Sequence, residues 1–212
     1  MRKLLTLLLI LSAVAAEGGD TPTVLVLGDS LSAGYGIDVD QSWTALLQSR
    51  LESQGYEHRV VNASISGETT EGGASRIAAA LKEFAPEVVV VALGGNDGLR
   101  GFPPERIKSN MLRIIEAAET EGAAVVLLGI RIPTNYGARY TRAFENVYRE
   151  LAEERQLPWI EFFMEGVALD KDLMQDDGIH PNEEAQPILL DNAWPVIQQA
   201  LKADVAAGVK TN

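Results

Sequence analysis

Val24-Leu25-Val26-Leu27-Gly28-Asp29-Ser30-Leu31-Ser32 sets four consecutive apolar residues against a tight, small-residue exit. A short apolar run bounded by turn residues reads as a buried strand, and the glycine and polar residues after it as the turn into a helix. Ser30 is thereby expected at the carboxyl end of a strand, which is where open α/β sheets bind ligands.

Working outward, apolar runs alternate with helical patterns along the rest of the chain, the signature of an α/β fold with a parallel sheet covered on both faces. Strands are expected over residues 23–27, 59–62, 87–93, 123–130 and 159–163, with Val88-Val89-Val90-Val91 at the centre of the sheet. Helices are expected over 43–53, from a cap at Thr69 or Thr70 to Pro86, and from Pro103-Pro104 to Gly122. Two more follow over 140–156 and 182–203, the last kinked or split by Pro195. There is no internal repeat, low-complexity linker or charge block, so one domain is expected over residues 17–212.

Ahead of it, Arg2 and Lys3, the apolar run 4–11 and the small residues Ala13-Val14-Ala15-Ala16 read as a secretory signal peptide over residues 1–16. The run is short of the about 20 residues that span a bilayer. No cysteine follows the cleavage site, which argues against a lipid anchor, and none occurs anywhere in the chain. Disulfides, zinc–thiolate sites and thiol nucleophiles are therefore excluded. The formal net charge of −12 becomes more negative once Arg2 and Lys3 leave with the leader. Such a surface repels nucleic-acid phosphates and anionic membranes. Neither a nucleic-acid partner nor stable membrane insertion is expected.

A serine nucleophile needs a base. The chain has two histidines. His58, between Glu57 and Arg59, reads as an ordinary solvated histidine on a polar turn. His180 sits in Asp176-Asp177-Gly178-Ile179-His180-Pro181, where a bend at Gly178 lets Asp177 reach the Nδ1–H of its own loop histidine and fix its tautomer. Asp176 is the less suitable orienter, and on its own this loop also reads as the acidic start of the last helix. Ser30, Gly67 and Asn96 follow three different strands and so share one sheet edge. There the backbone N–H groups of Ser30 and Gly67 and the Asn96 amide could serve as an oxyanion hole. Gly94-Gly95-Asn96-Asp97-Gly98 reads as a glycine-rich turn; taken singly, Gly67 also fits a plain turn and Asn96 the cap of its own loop.

Four stretches carry a resemblance: Gly28-Asp29-Ser30-Leu31-Ser32, Ser64-Ile65-Ser66-Gly67, Gly94-Gly95-Asn96-Asp97 and Asp177-Gly178-Ile179-His180-Pro181. In order and content they resemble the four blocks of the SGNH, or GDSL, hydrolases. The longer stretches 61–67, 94–102 and 174–182 resemble the periplasmic branch active on aryl esters, acyl thioesters and lysophospholipids. The resemblance implies a three-layer α/β/α sandwich with a five-stranded parallel sheet. It also implies Ser30 as nucleophile, Asp177 as orienter, His180 as base, and Ser30, Gly67 and Asn96 as oxyanion donors. No cofactor is needed for this chemistry and no spacing of metal ligands is present; the expected partners are small acyl ester or thioester substrates, on which the protein is expected to act as a monomer exported to the periplasm.

No G-x-S-x-G nucleophile elbow, H-E-x-x-H motif, phosphate loop or dinucleotide fingerprint occurs. Leu99, Phe102, Ile132 and Tyr136 are the expected acyl-binding residues, although Leu99 and Ile132 read equally well as core or loop-packing residues; Gly98 and Gly101 suggest a segment able to move on binding. An acetyl esterase acting on carbohydrate and a non-catalytic lipid-binding module are the alternative readings.

Overall fold

The computed structural model describes residues 21–208, with side chains up to residue 202; the leader expected over 1–16 lies outside the described residues. Five strands form one parallel sheet: β1 (Thr23–Gly28), β2 (Arg59–Asn62), β3 (Val88–Ala92), β4 (Ala124–Leu128) and β5 (Trp159–Ile160), in the spatial order β2-β1-β3-β4-β5. β3 is central, as its unbroken valine run predicts. Strands buried on both faces lose the polar alternation of half-exposed ones, and every residue of β1 and β3 is buried.

The helices are α1 (Ser30–Ala33), α2 (Trp43–Ser53), α3 (Thr70–Phe84), α4 (Gly95–Leu99), α5 (Pro104–Thr120), α6 (Ala138–Arg155) and α7 (Gln186–Gly208). α2 and α7 pack together on one face of the sheet, and α3, α5 and α6 form the layer on the other. This is the expected three-layer sandwich. Two contacts show how the first layer is closed: Trp43 meets Phe163 edge-on at 5.3 Å, and its backbone N–H donates to Oε1 of buried Gln186 at 3.0 Å.

Local signals account for most boundaries. Ser42 caps α2 and Thr69 caps α3, each accepting a backbone N–H with its hydroxyl. Three expectations change. Gly95-Asn96-Asp97-Gly98-Leu99 forms the short helix α4, not a turn. β5 stops at Ile160, after which the chain crosses close over Gly129, whose carbonyl accepts from the Phe163 N–H at 2.8 Å. Finally, α7 runs unsplit through Pro195, which lies exposed four residues after exposed Asp191. The carbonyl freed by the missing N–H thus faces water, where solvent replaces the lost bond.

Candidate active site

β1 lies between β2 and β3, so the loops that leave these three strands at their carboxyl ends are neighbours. Ser30 leaves β1 in the middle, Gly67 follows β2 on one side and Asn96 follows β3 on the other. Cross-loop bonds hold the arrangement. The Ile65 N–H donates to the Gly28 carbonyl at 3.1 Å, and Asn96 Nδ2 donates to Asp29 Oδ2 at 3.2 Å.

Ser30 opens α1, whose cap is Asp29, with Oδ1 accepting the Leu31 N–H at 3.1 Å. His180 arrives from the loop before α7. Its Nε2 lies 2.9 Å from Ser30 Oγ and its Nδ1 2.6 Å from Asp177 Oδ2. Asp177 also accepts the backbone N–H groups of Ile179 and His180 through Oδ1, at 2.9 and 3.0 Å. The His180 side chain and these two N–H groups hold the Asp177 carboxyl down at about 2. An ionised carboxylate can only accept, so Nδ1 of the neutral ring must carry the proton and Nε2 must face the serine hydroxyl as acceptor. Hydroxyl, imidazole and carboxylate form one chain along which a proton can pass from Oγ to Nε2.

The Ser30 and Gly67 N–H groups make no hydrogen bond among the described residues. Gly67 sits at φ +79°, a left-handed conformation that glycine adopts without strain, and its carbonyl accepts from exposed Arg100 at 3.2 Å. Behind these loops, Asp97 is buried and accepts from both the backbone N–H (2.9 Å) and the hydroxyl (2.6 Å) of Thr70. Asn110 donates to the same hydroxyl at 3.2 Å. This ties the start of α3, just after Gly67, to α4, which carries Asn96. An open cleft of about 720 Å³ lies on the Asp177 side, lined by Tyr35, Gly36, Gln175, Asp176 and Asp177. Over it the Tyr35 ring rests 4.4 Å from the His180 ring, and Gln175 Nε2 donates to the Tyr35 and Pro181 carbonyls at 2.8 and 2.9 Å.

All five expected members of the centre (Ser30, Gly67, Asn96, Asp177 and His180) thus lie at one sheet edge, on loops or on the short helices that follow its strands. The expected acyl-binding residues fare less evenly. Leu99 and Tyr136 are exposed at this edge, with the Tyr136 hydroxyl donating to the Leu99 carbonyl at 2.8 Å. Phe102 is half-buried under the Arg106 guanidinium, and its carbonyl accepts from Tyr140 at 2.7 Å. Ile132 is corrected from the acyl-binding reading to its core alternative: it is 5% exposed and packs beneath Gly98.

His58 is a second correction. It is buried, with Nε2 3.0 Å from Glu87 Oε2 and Tyr56 edge-on to its ring. Glu87 directly precedes β3, a pairing that local sequence does not reveal. Asp29 and Asp97 were missed as site residues. An acid directly between a strand and Ser-Leu-Ser is an N-cap signal, but their cross-loop partners depend on strand order.

Comparison with known proteins agrees with the geometry. The model of the GDSL-like Lipase/Acylhydrolase family matches residues 26–187. Esterase TesA of Pseudomonas aeruginosa is 49% identical over 197 residues, covering 93% of this chain and 96% of that protein. Thioesterase 1/protease 1/lysophospholipase L1 of Escherichia coli is 46% identical, covering 87% of this chain and 86% of its own length. Arylesterase of Vibrio mimicus is 45% identical, with 88% and 93% covered. Among solved structures, the crystal structure of TesA superposes with a TM-score of 0.82 at 50% identity, over 84% of this chain and 99% of that one. The chain belongs to the GDSL-like lipase/acylhydrolase family.

Proposed function

We propose that the protein is a serine hydrolase that cleaves carboxylic esters and thioesters through an acyl-enzyme. The observation that carries this is the continuous relay Ser30 Oγ–His180 Nε2 and His180 Nδ1–Asp177 Oδ2. His180 takes the hydroxyl proton as Ser30 Oγ bonds to the acyl carbon. The resulting oxyanion is held by the Ser30 and Gly67 N–H groups and the Asn96 amide. Collapse breaks the bond to the leaving oxygen or sulfur, which departs with the proton from His180. Water then attacks the acyl-enzyme by the same route, and Ser30 is regenerated. Since His180 must reach the leaving atom, the alcohol or thiol departs on the side of the cleft beside Tyr35 and Asp177.

The names of the relatives (esterase, arylesterase, thioesterase and lysophospholipase) support acyl esters and thioesters as the substrates. So do the exposed apolar side chains. Of the seven large ones exposed among the described residues, Tyr35, Ile65, Leu99, Tyr136 and Ile179 belong to loops of the catalytic edge. Free apolar surface gathered at one place marks a binding region. The site needs neither metal nor cofactor for this chemistry.

Export to the periplasm as a monomer, with residues 1–16 removed, is part of the same reading and rests on the leader pattern. Acyl-CoA is a cytoplasmic metabolite, so lysophospholipids and related lipid esters fit that location better as natural substrates. The strongly negative charge argues against a nucleic-acid partner.

The purified mature protein should hydrolyse nitrophenyl esters from acetyl to octanoyl, lysophospholipids and acyl thioesters. Ser30→Ala should bring the rate on each close to background and abolish labelling by a fluorophosphonate. An unchanged rate in Ser30→Ala would sink the reading. A steep fall in rate from acetyl to octanoyl would instead favour the carbohydrate acetyl esterase.

A further inference from the structure

We propose that Asp29 is a positioning residue whose carboxylate holds the Asn96 side chain with its NH₂ group turned toward the oxyanion. The inference rests on the reading of Asn96 as an oxyanion donor and adds a residue to it.

An asparagine side chain is nearly symmetric in shape but not in polarity. One end donates two N–H bonds and the other accepts. An oxyanion is stabilised by the first and repelled by the second, so the hole works only if the amide is prevented from turning over. Asn96 has one side-chain partner among the described residues, Asp29 Oδ2 at 3.2 Å. A carboxylate cannot donate. Facing Asp29, the amide must therefore present Nδ2, and its second N–H remains available for the substrate.

A helix cap alone does not require this arrangement. The Leu31 N–H is satisfied by Asp29 Oδ1, and serine or asparagine caps a helix as well as aspartate does. The second oxygen, in a residue only 2% exposed, faces the segment that follows neighbouring β3. Burying a charged oxygen is costly unless it is paired, and the Asn96 amide is the pair.

The protonation state of Asp29 then matters. Burial pushes its carboxyl up to about 6, against the pull of the Leu31 N–H, the Asn96 amide and nearby His180. The other titratable groups around it are Asp97 on α4, which also raises it, and Tyr148 on α6. Both have other partners: Asp97 accepts from Thr70, and the Tyr148 hydroxyl donates to the Leu93 carbonyl at 2.9 Å. Below about pH 6 the Asp29 hydroxyl can donate to the amide oxygen. The turned-over amide then becomes equally acceptable, with its carbonyl toward the hole.

The test is Asp29→Asn, which keeps the cap and removes the one-way polarity. Its kcat should fall by about 10- to 100-fold, less than the full loss of an oxyanion donor, with KM within about threefold of wild type. In an Asn96→Ala background the same change should alter kcat by less than about twofold, because the residue it acts through is gone. The acid limb of the wild-type kcat profile should carry a component near pH 6 that Asp29→Asn lacks. Thermal melts of all variants establish that each is folded. Wild-type kcat in Asp29→Asn, or an equal loss with and without Asn96, would overturn the proposal. If Ser30→Ala is inactive while Asp29→Asn is silent, only this inference falls; an active Ser30→Ala removes the reading beneath it.

Discussion

Asp29 and Asp177 are two carboxyls near one histidine, and their surroundings drive them in opposite directions. Asp177, half in solvent and bonded to the His180 ring and two N–H groups, is held down at about 2. Its contribution to stability is present above its ordinary value of about 4 and is lost as pH falls through the lower one. Asp29 is raised to about 6 by burial. Its protonated form is the one folding favours, so its contribution is complete below about pH 4 and disappears as pH rises through about 6. Asp29→Asn should therefore gain stability relative to wild type as pH rises from 4 to 8, by roughly 3 kcal/mol across that range for a two-unit shift. Denaturant melts at several pH values check this, and a difference independent of pH would contradict it. The variant would be more stable and less active, the trade expected where an active site keeps an unfavourable charge. At this scale the sequence was legible where partners are close along the chain. Asp177 reaches His180 over three residues. The Asn96–Asp29 and His58–Glu87 pairs cross 67 and 29 residues, and no local pattern announces them.

At the scale of elements, α4 is the piece local reading got wrong. Gly94-Gly95-Asn96-Asp97-Gly98 has the composition of a turn, yet it winds into a helix because tertiary contacts require it. Gly94 adopts φ +112°, and a Cβ there would run into the Tyr148 hydroxyl. Gly98 is pressed against Ile132 and Phe144. Gly94→Ala should accordingly destabilise the fold by about 3 kcal/mol, from backbone strain plus the displaced hydroxyl. Because Asn96 rides on α4, kcat should drop more than KM changes. A melt and steady-state kinetics on the soluble fraction measure both, and a variant within about 0.5 kcal/mol of wild type would show that the turn into α4 is slack. Elsewhere periodicity was sufficient: α2 and β2 span the residues their apolar spacing marks. β5 was read too long because Glu161-Phe162-Phe163 keeps strand-like composition after the chain has left the sheet. Composition does not record where a neighbour such as Gly129 draws the backbone away.

For the molecule as a whole, strand order does the decisive work. Had β1 lain at an edge of the sheet, Ser30 could not have had Gly67 on one side and Asn96 on the other. The order β2-β1-β3-β4-β5 was not read from the sequence alone. Only the weaker statement was available, that loops after parallel strands share an edge. The residues expected to bind an acyl chain are placed unevenly. Leu99 and Tyr136 stand exposed, while Ile132 is covered by α4, whose existence was not foreseen.

β1 enters the sheet at Thr23, at the end opposite Ser30, and α7 starts beside the His180 loop and runs back toward that opposite end, where Gln198 meets Gln54 at 3.3 Å. Both ends of the described chain therefore leave the molecule on the side turned away from the loops that carry Ser30 and His180. A protein tethered to a solid support through either end would present its reactive face outward. Enzyme anchored through a linker ahead of Thr21 should keep its solution kcat on soluble esters, whereas random coupling through lysines should lose activity wherever Lys171, just before the Gln175 to His180 loop, is the point of attachment. Comparing turnover per bound molecule on the two supports would reveal the difference, and equal losses on both would contradict it.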